Sequence, residues 1–219
     1  MTNSLAAGAF ARPLSAQCPD QTAASIILAA KDLLWTLAAV RRIDTATVRT
    51  AMQSACGASD AAGTWDWKAA YEAVEVAQLL FLRRYGPAIH AKASDPFERL
   101  KLVERIARLA PTQTRRSEEM QAYQQFSTPL GLAWVAGFAA NCVPGELVLE
   151  PSAGTGLLAI HAELGASRLA LNEVAGVRAA LLSQIFDAAT VTRHDAAHIH
   201  DRLDPGMVPS CILMNPPFS

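Results

Sequence analysis

The sequence predicts an α/β fold in two parts: an all-helical N-terminal region over residues 1–116 and a parallel-sheet layer over residues 117–219. Three observations predict it. Apolar residues in the first part recur at three- and four-residue spacing, the period of one helix face. After residue 115 the pattern changes to short apolar runs separated by helical stretches, as in buried parallel strands with their crossovers. The charge divides at the same place, with a net +5 over residues 1–116 and a net −6 over residues 117–219 inside a total of −1.

Taken in order, Ile26, Ile27, Ala30, Leu33, Leu34, Leu37 and Val40 mark a first helix that ends at Arg41-Arg42. Asp44 with Thr45 reads as the cap of a second, closed by Gly57. A third runs from Trp65 to Arg84 with Tyr71, Val74, Ala77, Leu80 and Phe81 on one face. Asp95-Pro96 opens a fourth, carrying Leu100, Val103, Ile106 and Leu109 before Pro111 stops it. The span from Phe126 to Gly145 carries no charge but is broken by Pro129, Asn141 and Pro144. Its apolar stretch is shorter than the roughly 20 residues a membrane crossing needs, so it reads as a buried helix and no membrane is expected. Four short strands follow, at 147–149, 169–171, 190–192 and 211–214, with helices at 156–164 and 175–186 between them. The pairs Arg41-Arg42, Arg83-Arg84 and Arg115-Arg116 suit either a phosphate-facing surface or solvated helix ends, and the second is the simpler reading.

Composition closes off several classes. With 51% hydrophobic and 18% charged residues, intrinsic disorder is excluded as the main state. The near-zero net charge excludes a purely electrostatic nucleic-acid binder. Cys18, Cys56, Cys142 and Cys211 form no C-x-x-C pair, which speaks against a zinc knuckle or a disulfide framework and for reduced thiols in the cytoplasm. The N-terminal segment has no basic stretch ahead of its apolar residues, so a secretory signal is not expected. His194, His198 and His200 lack a cysteine partner, and no metal is expected there.

The chemistry concentrates in the second part. Leu147 to Gly156 reads strand, glycine turn, helix, in which Gly154 and Gly156 admit a ligand close to the backbone at a helix N-terminus. G-x-G-x-x-A alone serves dinucleotides and other adenosine cofactors alike. Glu173, about 20 residues on at the end of the second strand, is placed to accept both ribose hydroxyls. Asp195 follows the third strand, where a carboxylate can accept from an adenine amino group. The fourth strand ends in Asn215-Pro216-Pro217-Phe218. The prolines fix the backbone so that Asn215 Oδ1 and the Pro216 carbonyl can accept both hydrogens of one planar amine, freeing its lone pair for attack, and Phe218 can stack on the ring carrying it.

Glu150-Pro-Ser-Ala-Gly-Thr-Gly156, Asn172-Glu173, Asp195 and Asn215-Pro-Pro-Phe218, in this order, resemble the S-adenosylmethionine-dependent N6-adenine DNA methyltransferases. Gln125-Phe-Ser-Thr-Pro129 looks like the Phe-x-x-Thr-Pro segment that precedes the glycine turn in their γ class. The resemblance covers roughly residues 120–219. Within it the chain is most similar to the methylase half of bacterial strawberry-notch-type methylase/helicase proteins of mobile elements. It implies a partial class I (Rossmann-like) methyltransferase sheet in the order 3-2-1-4, with S-adenosylmethionine as cofactor. Phe126, Thr128 and Pro129 would lie against the methionine tail and carboxylate, and Glu150, Ser152, Gly154 and Gly156 would line the same end. Glu173 would bind ribose, Val174 would pack on the adenine face and Asp195 would hold the adenine amino group. Asn215, Pro216, Pro217 and Phe218 would form the catalytic turn, acting on an adenine flipped out of DNA.

Two rival readings accompany this one. Asn-Pro-Pro-aromatic also serves guanine-N2 RNA and protein-glutamine methyltransferases, and a non-catalytic module could keep the cofactor or partner site alone. Because the sequence stops one residue after Phe218, the expectation is an N-terminal fragment whose partner is a C-terminal remainder or helicase part. By itself it is expected to bind no specific DNA site and to transfer no methyl group.

Overall fold

The computed structural model describes residues 17–112 and 127–216. Helix α1 (Pro19–Ala38) begins on a proline whose missing N–H is not needed at that position. Ile26, Ala30, Leu33, Leu34 and Leu37 are buried, whereas Val40 lies beyond the helix end, exposed and at φ 54°. Helix α2 (Thr45–Cys56) has the cap expected for it: Asp44 Oδ1 accepts from Thr47 N–H at 2.8 Å, and Gly57 closes it at φ 75°. Helix α3 (Trp67–Lys92), capped by Asp66, runs eight residues past the expected end at Arg84. Pro87 has no N–H to give the preceding turn, yet the helix continues through it to Lys92. α3 is the centre of the molecule, buried at every residue from Ala69 to Leu79 because α1 covers one side and the sheet layer the other. Helix α4 (Pro96–Ala107) starts on the Asp95 cap, as the sequence predicts.

Helix α5 (Leu130–Ala140) departs from the reading of a buried helix. Leu130, Ala133 and Trp134 face inward, while Leu132, Val135 and Phe138 are exposed. α5 packs chiefly against α4 and the next helix, so among the described residues one face is left exposed although its sequence is apolar all round. Gly137 belongs to the closed face, where a Cβ would come within 2.4 Å of His161 Cβ. Burial of His161, with His90 nearby, pushes its pKa down to about 4. Among the described residues no helix is long and apolar enough to cross a membrane.

The second part is a four-stranded parallel sheet built from β1 (Leu147–Glu150), β2 (Arg168–Asn172), β3 (Thr190–Thr192) and β4 (Cys211–Ile212). Its order is β3-β2-β1-β4, the order expected. β1 is central, with Leu149 beside Ala170 of β2 and Ile212 of β4. Helix α6 (Ala159–Leu164) leads from β1 to β2 and ends at Gly165, and α7 (Gly176–Ile185) leads from β2 to β3. The chain therefore leaves β1 toward one side of the sheet and returns on the other with β4. In open α/β sheets, the crevice at such a reversal, beyond the C-terminal strand ends, is where ligands bind.

Candidate functional site

Beyond those strand ends lies a cavity of about 320 Å³. Asn172, buried at the end of β2, ties three strand-end loops together. Its Nδ2 donates to the carbonyls of Pro151 and His194, both at 2.9 Å. Its Oδ1 accepts from His194 N–H at 2.8 Å and Thr192 Oγ1 at 2.9 Å. A side-chain amide has four hydrogen-bonding positions and Asn172 fills all of them, which fixes the cavity rim.

Glu173, the next residue, latches the glycine turn. Oε2 accepts from Gly154 N–H at 2.9 Å and Oε1 from Ala175 N–H at 2.8 Å. Each carboxylate oxygen keeps a second lone pair for a ligand hydroxyl. The two glycines of the turn have different work. At Gly154 (φ 56°) a Cβ would meet nothing within 4 Å, so backbone lies open to the cavity. At Gly156 (φ 90°) a Cβ would come within 2.5 Å of Phe186 Cε2, so this glycine is required by packing. Gly156→Ala is expected to destabilise the fold by about 2–4 kcal/mol, from strained backbone plus overpacking. Gly154→Ala carries only the backbone strain, about 1–2 kcal/mol, and obstructs ligand entry. Thermal melts beside ligand titration check the contrast, and equal melting temperatures for the two variants would contradict it.

Glu150, at the end of β1, is 2% exposed, lines the cavity, and has an Oε2 atom without a hydrogen-bond partner. Burial pushes its carboxyl well above the usual carboxylate range. The Ala159 N–H opposes the rise and the charge on Glu173 adds to it. A raised folded pKa means that the neutral form favours folding. That contribution is full below about pH 4, the unfolded value, and is lost as pH rises through the folded value. Glu150→Gln, neutral throughout, is expected to melt above the wild type without ligand, by a margin that grows from about pH 5 to about pH 8. A margin independent of pH would contradict a buried neutral Glu150.

At the rim, Asn215 Nδ2 donates to Thr128 Oγ1 at 3.0 Å, which joins the segment before α5 to the segment after β4. Asp195 Oδ1 caps the following 3-10 turn (Ala196–Asp201) through Ala197 N–H at 3.0 Å, and Asp195 lines the cavity.

Of the residues expected from sequence, Thr128, Glu150, Ser152, Gly154, Glu173, Val174, Asp195 and Asn215 meet in the cavity wall. Three others do not. Pro129 caps α5 and borders a neighbouring hollow, Gly156 is set back against Phe186, and Pro216 is exposed without lining the cavity. Phe126, Pro217 and Phe218 lie outside the described residues. The sequence reading quoted Asn172 and Thr155 within its motifs but gave them no role, and it missed Arg178 in the wall and Glu72 and Glu75 of α3 beneath it. Arg178 Nε donates to Glu72 Oε1 at 2.7 Å, with both side chains about 95% buried (5% and 4% exposed). Burial works against charge on Arg178, and Glu72, Glu75 and Glu173 outweigh it and keep the guanidinium protonated. The available signal was two carboxylates three residues apart in the otherwise uncharged run Ala69–Leu82, where unpaired charges do not stay buried.

Comparison of the chain with models of known protein families and with curated proteins finds no match.

Proposed function

We propose that the chain is an S-adenosylmethionine-dependent methyltransferase acting on adenine N6 in DNA, with a partial class I (Rossmann-like) sheet and the cofactor in the strand-end cavity. The observation that carries this reading is the position of Asn215: β4 delivers it to the wall that also holds Glu150 and Glu173.

The wall suits this cofactor chemically. Glu150 brings a buried carboxyl to the wall as a partner for an ammonium group, and Gly154 opens the backbone to the ligand. Among the described residues Arg178 is the one Lys or Arg in the wall, and it is committed to Glu72. Glu173 suits the ribose of S-adenosylmethionine and of a dinucleotide alike. The distinction rests on Glu150 beside the glycine turn and on the lack of a free Lys or Arg among the described wall residues, which favour a ligand of net positive charge over a pyrophosphate. A cation beside Glu150 Oε2 draws its pKa back down, so binding is expected to release a proton.

When bound, S-adenosylmethionine supplies a methyl group on a positively charged sulfur. Glu173 holds ribose hydroxyls with its remaining lone pairs, Val174 covers the adenine face and Asp195 accepts from the adenine amino group. Because Thr128 occupies Asn215 Nδ2, Oδ1 is left to accept from the target amine together with the Pro216 carbonyl. Accepting both hydrogens concentrates the nitrogen lone pair for attack. The target adenine leaves its stack to present that amine. DNA is thus the partner of this reading, and a helicase part or further C-terminal segment accompanies it in strawberry-notch-type proteins.

The test is transfer of labelled methyl from S-adenosylmethionine to DNA, RNA and protein by the intact protein. Label recovered as N6-methyladenine from DNA is expected. Label in RNA guanine or protein glutamine would move the reading to those substrates. Binding without transfer would leave a non-catalytic module.

A further inference from the structure

One face of α3 meets the sheet layer turn by turn. Glu72 holds Arg178, Glu75 Oε2 accepts from Thr155 Oγ1 at 2.8 Å, and Arg83 grips Glu163 through Nε and Nη2 at 2.7 and 2.8 Å. Gly86 follows against Leu164, where a Cβ would come within 3.0 Å of Cδ1. These contacts differ in what they restrain. Arg83 and Glu163 are about one-third exposed and join α3 to the end of α6. Glu75 and Thr155 are 5% and 3% exposed, and Thr155 lies between the two glycines of the turn, in the cavity wall.

That turn places Gly154 and Gly156 at positive φ, a region with little intrinsic restraint for glycine. Side chains elsewhere must therefore define its height. Glu173 does so from the strand side through Gly154 N–H, and Glu75 does so from below through Thr155. The bond from Thr155 to Glu75 spans 80 residues, from the helical region to the turn.

We infer that Glu75, acting through Thr155, is a positioning residue of the ligand site. It holds the glycine turn where Gly154 N–H meets Glu173 and the cavity stays open. The helical region is then a working part of the pocket. The inference rests on the cofactor reading above only for its probe, S-adenosylmethionine.

The test uses the 219-residue chain and the variants Thr155→Val, Thr155→Ser, Glu75→Ala and Glu163→Ala. It compares calorimetric S-adenosylmethionine affinity, thermal melting, and amide hydrogen exchange at Gly154. Thr155→Val is expected to weaken binding about tenfold and to speed exchange at Gly154. Thr155→Ser restores both, and Glu75→Ala combined with Thr155→Val is no worse in affinity than either alone. Glu163→Ala, which breaks the tie to Arg83, lowers melting without changing affinity or Gly154 exchange. Wild-type affinity and exchange in Thr155→Val would overturn the inference, as would equal loss of affinity in Glu163→Ala. If the wild type binds no S-adenosylmethionine, the cofactor reading falls, and Gly154 exchange alone decides the role of Glu75.

Discussion

Replacing Asn215 with alanine is expected to reduce methyl transfer by the intact protein at least about 100-fold, the scale for removing one preorganised polar group from the reacting centre. Affinity for S-adenosylmethionine is expected to stay nearly unchanged, because Asn215 meets the cavity at its rim and its side-chain amide bonds to Thr128. Thr128→Val leaves the amide in place but frees its rotation, so a smaller loss of about tenfold is expected, with Thr128→Ser close to wild type. Labelled transfer measured beside calorimetry separates the two quantities. Equal loss of binding and transfer in Asn215→Ala would count against its catalytic role.

Glu173→Ala is expected to weaken S-adenosylmethionine by one to two decades, since a charge-assisted hydrogen bond contributes about 1.5–3 kcal/mol. Two effects combine. The ligand loses its ribose partner, and the turn loses the latch on Gly154 N–H and Ala175 N–H. Glu173→Gln keeps one acceptor oxygen for either N–H and is expected to fall between wild type and alanine. Calorimetry on the three proteins gives the order, and unchanged affinity in Glu173→Ala would place the ligand elsewhere.

Much of the fold was legible because its signals are local. Asp44, Asp95 and Gly57 announce helix ends by their own chemistry, and four short apolar runs announce the strands. The extension of α3 past Arg84 was not legible, because the Arg83-Arg84 pair and Pro87 both resemble helix-end signals. Nor was the open face of α5, since Leu132, Val135 and Phe138 are as apolar as the residues they would be told from. Motif positions located most of the cavity wall. They did not distinguish Gly154, which faces the cavity, from Gly156, which faces Phe186, because both take positive φ. Glu72 and Glu75 were hidden for a different reason. Their partners, Arg178 and Thr155, lie 106 and 80 residues away, and only the packed fold brings them together.

The measurement that bears most directly on the central claim is a calorimetric titration of the 219-residue chain with S-adenosylmethionine and, separately, with a nicotinamide dinucleotide, in buffers of differing ionisation heat. A cavity with Glu150 beside the glycine turn and no free Lys or Arg among its described wall residues predicts saturable binding of S-adenosylmethionine with proton release, and none of the dinucleotide. Saturable dinucleotide binding, or no S-adenosylmethionine binding by a protein that melts cooperatively, would contradict it.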